Sequence, residues 1–128
     1  MYYKGIKIWI SAVVLAATLS FGSAEADEWK GTDKALFGAL VGLQVVDILQ
    51  TYEVKKHPER WSEMNPIYGD PPNMGVVIGV KALYTGLVWY LLDQHTASAD
   101  RGGALWVLNA IAASVVIHNH HVGVRIEF

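Results

Sequence analysis

After residue 26 the chain carries three long apolar segments, at residues 34–54, 74–92 and 104 to about 118, separated by polar, turn-rich connections. Spanning the hydrocarbon core of a bilayer takes about 20 such residues in a helix. The first two segments meet that length and the third falls a few residues short. In a 128-residue chain these segments must be covered by one another or by lipid. A soluble domain of this size buries only about two-thirds of its unfolded surface. Here 52% of residues are hydrophobic and 17% charged, against roughly a quarter charged in ordinary soluble domains. The predicted fold is therefore all-α: a small helical membrane protein with three helices after an N-terminal signal helix, and a short extended C-terminal tail.

The first residues set the address. Lys4 and Lys7 precede an apolar run over 8–21, and Gly22-Ser23-Ala24-Glu25-Ala26 stands before Asp27-Glu28-Trp29. This is the pattern of a bacterial export signal with an Ala-x-Ala cleavage site. It divides the chain into a signal peptide over 1–26 and a single helical membrane domain over 27–128. The apolar segments that follow would be held in the bacterial inner membrane during export, so the bilayer is the first expected partner. The chain has no cysteine, which excludes disulfides and thiolate metal sites. A net charge of −2 gives no reason to expect nucleic acid.

Thr32 or Asp33 is placed to cap the first helix. Residues 55–73 hold Pro58, Pro66, Gly69, Pro71 and Pro72 and read as a loop. Residues 93–103 form the second connection, and residues 122–128 alternate apolar and polar as a strand would. That alternation suggests a periplasmic or outer-membrane-associated alternative, although one strand cannot make a barrel. A soluble helical bundle is the other alternative, because segment one carries Gln44, Asp47, Gln50 and Thr51, and a central Asp costs roughly 3 kcal/mol on insertion. Three patterns favour the bilayer. Gly38-x-x-x-Gly42, Gly75-x-x-x-Gly79 and Ala82-x-x-x-Gly86 would let helices approach closely. Trp29, Trp61, Trp89, Tyr90 and Trp106 fall near segment ends, as an interfacial belt would place them. With the processed N-terminus outside, Lys55, Lys56 and Arg60 lie inside with Arg125, and the second connection exposes only Arg101, while Lys30 and Lys34 oppose this bias.

Asp47 and Lys81 are the sharpest polar pair. In an antiparallel hairpin closing near Val54 and Met74, residues whose numbers sum to about 128 share a depth, and these two do, about 10 Å inside the hairpin's end. Opposite charges there offset each other's desolvation. They would form a structural clasp or part of a proton or ion path. Gln44, Asp47 and Thr51 share one face of helix one, Lys81, Tyr84 and Thr85 stripe helix two, and Asn109 and Ser114 add polar positions on helix three. Interhelical hydrogen bonding is the simplest use of such stripes. His118, His120 and His121 raise a metal reading, with His118 and His121 on one helical face. Against it stand the dipole at a helix C-terminus, which favours histidine, and Asn119, which suits a helix end. In Glu63-Met64-Asn65-Pro66-Ile67-Tyr68-Gly69, Asn65 is pushed towards extended backbone by Pro66, Gly69 can take positive φ, and Glu63 can accept backbone hydrogen bonds that close the turn. No nucleophile elbow, phosphate loop or paired-carboxylate motif supports an enzyme, and no cofactor is implied.

Three patterns together, Asp47-x-x-Gln50-Thr51, Glu63-x-Asn65-Pro66-Ile67-x-Gly69-x-x-Pro72 and Asn119-x-x-x-Gly123-Val124-Arg125-Ile126-x-Phe128, resemble a group of small uncharacterised bacterial and phage-encoded envelope proteins. The resemblance implies a shared architecture and supplies no catalytic residues. The expected role is helix packing with itself, as a homo-oligomer, or with a larger membrane complex. A membrane-embedded transport or enzymatic element using Asp47, Lys81 and His118 is the rival.

Overall fold

The computed structural model describes residues 28–96 and 98–128, so the expected export signal over 1–26 lies outside the described residues. Three helices follow one another: α1 (Gly31–Lys56), α2 (Met74–His95) and α3 (Ser98–His121). At 1.5 Å per residue they measure about 39, 33 and 36 Å, each beyond the roughly 30 Å of a hydrocarbon core. All three are apolar enough to cross a membrane. The third segment is thus not short: its apolar stretch runs over Asp100–His121 for 22 residues.

Local chemistry explains where the helices begin and end. The residue before α1 is Lys30, in extended conformation, so neither Thr32 nor Asp33 occupies the cap position. Asp33 acts from inside the first turn, where its carboxylate accepts the Lys30 N–H at 3.0 Å and complements the helix dipole. At the other end Lys55 and Lys56 prolong the helix with favourable charge, and Pro58 biases His57 out of helical backbone. Asn73 caps α2 by accepting the Val76 N–H at 3.2 Å. The connection expected over 93–103 shrinks to the residues around Thr96, because Asp93 and Arg101 both find partners inside the bundle.

Gly123 closes α3. Its φ of +97° turns the chain, with Val124 N–H donating to Asn119 O at 2.9 Å and Gly123 N–H to His120 O at 3.1 Å. These are the two bonds of a Schellman ending. A methyl group at Gly123 would lie 3.3 Å from the Trp61 ring, against a backbone angle that side chains disfavour. Gly123→Ala should therefore lower stability by about 1 kcal/mol or more in thermal unfolding of the detergent-solubilised protein. Gly38→Ala, in a helix with nothing within 4 Å, should be neutral or stabilising. Beyond this turn the expected strand-like tail forms no strand, and none occurs among the described residues. With no neighbouring strand to pair, the tail folds back: Val124 is buried, and Glu127 N–H reaches Glu53 Oε1 at 3.4 Å.

α1 is the central element, packing along α3 and more sparsely against α2. Leu40, Val88, Leu92, Leu105 and Leu108 form the apolar core, with Trp29 set edge-on to Phe37 at 5.7 Å. Further along α1 the inward face becomes polar through Gln44, Asp47, Gln50, Thr51 and Glu53, all buried. Meanwhile Val45, Leu83, Trp106 and Ile117 are half or more exposed. Only 17% of the apolar stretch of α2 is buried within the protein.

The small-residue pairs do not sit at these contacts. A methyl group at Gly38, Gly42, Gly79 or Gly86 would meet nothing within 4 Å, and at Gly75 only the Asn73 side chain. Larger side chains and polar groups make the helix contacts, and the small residues face outward. Trp29 also departs from an outward belt, since its indole N–H donates to Asp93 Oδ1 at 2.7 Å inside the bundle.

Candidate functional site

The polar half of the bundle converges on Asp47. Lys81 Nζ lies 2.7 Å from Asp47 Oδ2 and donates to Gln44 Oε1 at 2.9 Å, so α2 is tied to two successive turns of α1. From α3, the Asn119 amide donates to Asp47 Oδ1 at 3.2 Å and to Gln50 Oε1 at 3.0 Å. Gln50 in turn donates to the Val116 carbonyl at 3.0 Å. All three helices are thereby fastened at one level. Each donor and acceptor would be costly alone in a low-dielectric interior, and together they satisfy one another.

The other polar positions have different uses. Thr51 and Thr85 hydroxyls donate to the carbonyls of Asp47 and Lys81, one turn back on their own helices, both at 2.8 Å. Asn109 ties α3 to the Leu36 carbonyl of α1 at 2.9 Å, and Ser114 bonds its own helix at Ala110. His118, His120 and His121 are exposed on the last turn of α3. Among the described residues no group of three or more His, Asp or Glu is placed to hold a metal ion.

The loop after α1 is built on side chains that replace a backbone ladder. Glu63 Oε1 accepts the N–H groups of Met64 at 3.0 Å and Asn65 at 2.9 Å, Asn65 Oδ1 accepts Ile67 N–H at 3.1 Å, and Gly69 takes a φ of +78°. Ser62 donates to Asp70 at 2.7 Å across the base of the loop. Pro66 stays exposed at the first corner. This scaffold sets Tyr68 under the helices. Burial pushes its phenol up to about 12, with the Asp47 and Glu63 carboxylates adding to the effect.

Beside the clasp lies a cleft of about 150 Å³. α1 contributes Leu43, Gln44 and Asp47, α2 contributes Val80, Lys81 and Tyr84, and α3 contributes Leu108, Ile111, Ala112 and Val115, while Tyr68 and Ile67 close one end. It lies where α2 and α3 approach one another little.

A second polar knot fastens the opposite end. Arg101 is fully buried rather than exposed as a connection charge. Its guanidinium donates to Leu92 O at 3.2 Å and Thr96 O at 3.0 Å, stands 3.5 Å from Asp33 Oδ2, and lies 4.9 Å from the Trp29 ring centre. The Thr96 hydroxyl also bonds the Leu92 carbonyl. These contacts join the start of α1, the end of α2 and the start of α3. Sequence spacing carries no sign of Arg101 or Asn119 in these roles, since their partners on α1 lie 68 to 72 residues away. Local sequence offered little signal, because Arg101 follows Asp100 in a polar, glycine-containing run and Asn119 stands among three histidines.

No family model, curated protein or solved structure matches the chain.

Proposed function

We propose that this is a three-span inner-membrane protein of a bacterium or phage that acts by helix packing, with itself or within a larger envelope complex. One observation carries the reading: Gln44, Asp47, Gln50, Arg101 and Asn119 are buried while Leu83 and Trp106 are 73% and 67% exposed. Such a surface is unfavourable in water and ordinary against lipid or another apolar helix. The outward Gly38, Gly42, Gly79 and Gly86 offer close approach to a neighbouring helix.

A structural clasp is supported over a transport or catalytic element because Asp47 and Lys81 each hold a further protein partner, and His118 stands exposed at the far end of α3. Exchanging Asp47 and Lys81 separates the two readings: a clasp survives the swap and a directional proton path does not. Location and topology are tested together. The protein should resist carbonate extraction from inner membranes, with a reporter near Glu59 cytoplasmic and one near Asp100 external. Recovery in a soluble fraction, or both reporters on one side, would overturn the three-span reading.

A further inference from the structure

The cleft beside the clasp is too small for a whole ligand and has hydrogen-bonding capacity left over. Its volume, about 150 Å³, matches an apolar cavity that takes a benzene ring and is half the roughly 300 Å³ of the smaller whole-ligand sites. The occupant therefore inserts one ring-sized group of a longer molecule. Lys81 has three N–H donors, of which Asp47 and Gln44 take two. No described residue pairs with the Tyr84 hydroxyl, one helical turn further along α2 and also in the lining. Lys81 and Tyr84 thus each offer a donor to an acceptor in the cleft.

Charge and depth narrow its chemistry. Asp47 neutralises Lys81, so an anionic group would gain little from one and be repelled by the other. Lys81 stands seven residues into α2 and Asp47 nine residues before the end of α1. With both helices centred on a hydrocarbon core of about 30 Å, each backbone position lies about 9 Å below its boundary. Phosphate groups and glycerol esters remain at the boundary, out of reach. We propose that the cleft binds the neutral carbonyl-bearing ring of a membrane-soluble lipophile, of the quinone class, with Lys81 and Tyr84 donating to a ring carbonyl and the apolar tail leaving between α2 and α3.

The inference rests on the three-span reading, and the two fail differently: a chain soluble without detergent defeats that reading, while a detergent-solubilised chain indifferent to the probe defeats only this one. The probe is decyl-benzoquinone, titrated calorimetrically into the purified protein, with decylbenzene and a ten-carbon monoacylglycerol alongside. The quinone should bind at least tenfold more tightly than either. Tyr84→Phe, which removes only the hydroxyl, should weaken it about tenfold, the equivalent of one hydrogen bond. Ala112→Phe, which fills the cleft, should abolish it. Equal binding of quinone and decylbenzene, equal or tighter binding of the ester, or unchanged affinity in Tyr84→Phe would overturn the assignment, and Tyr84→Phe decides it even where Ala112→Phe disturbs folding.

Discussion

Replacing Arg101 with methionine should destabilise the protein by about 3 to 5 kcal/mol, the cost of breaking a buried charge pair by removing one partner. Arg101 has no exposed surface, and three different groups depend on it: the Asp33 carboxylate and the carbonyls of Leu92 and Thr96. At 3.5 Å the carboxylate contributes charge more than a well-formed hydrogen bond, whereas the contact to Thr96 has ordinary length. The last turn of α2 would lose donors that no helical N–H can replace. Arg101→Lys keeps the charge but not the planar fork, so it should recover only part of the loss. Adding Asp33→Asn to Arg101→Met should recover more than that second change costs alone, because no carboxylate is then stranded. Thermal unfolding in detergent measures each variant. Loss of less than about 1 kcal/mol in Arg101→Met would mean that the knot does not hold this end together.

Much of this architecture was legible in the chain because helix cores and helix ends follow different physics. The apolar stretches over 34–54 and 74–92 admit no stable alternative to a helix, and Pro58, Pro66, Pro71 and Pro72 confine the break between them. The ends depend on tertiary partners. Asp93 reads as a polar connection until Trp29 supplies its hydrogen bond, and Arg101 reads as a solvent charge until Asp33 and two carbonyls surround it. The depth shared by Asp47 and Lys81 needed only helical rise and the position of the hairpin, and the two side chains meet at 2.7 Å. Asn119 needed the third helix as well, whose register against α1 no local pattern records. The glycine pairs show the converse: their spacing places them on one face without saying which way that face points, and it points outward.

The clasp should behave as one energetic unit. Asp47→Asn alone leaves Lys81 charged beside an amide, and Lys81→Met alone leaves the Asp47 carboxylate supported only by the Asn119 amide. Side-chain exposures of 18% for Lys81 and 10% for Asp47 leave some access for water, so each single change should cost about 3 kcal/mol, the lower end for a broken buried pair. The double variant Asp47→Asn with Lys81→Met strands neither charge and retains an acceptor for Asn119 in the new Asn side chain. It should therefore be more stable than the sum of the single losses by about 2 kcal/mol, within the range for residues in direct contact. Gln44→Leu on the same background should add little, because its acceptor no longer faces an ammonium. A double-mutant cycle on thermal stability in detergent, repeated on steady-state level in the membrane, reads the coupling. Strictly additive losses would mean that the ion pair contributes nothing as a pair and that the hairpin register of α1 and α2 is held by the apolar core alone.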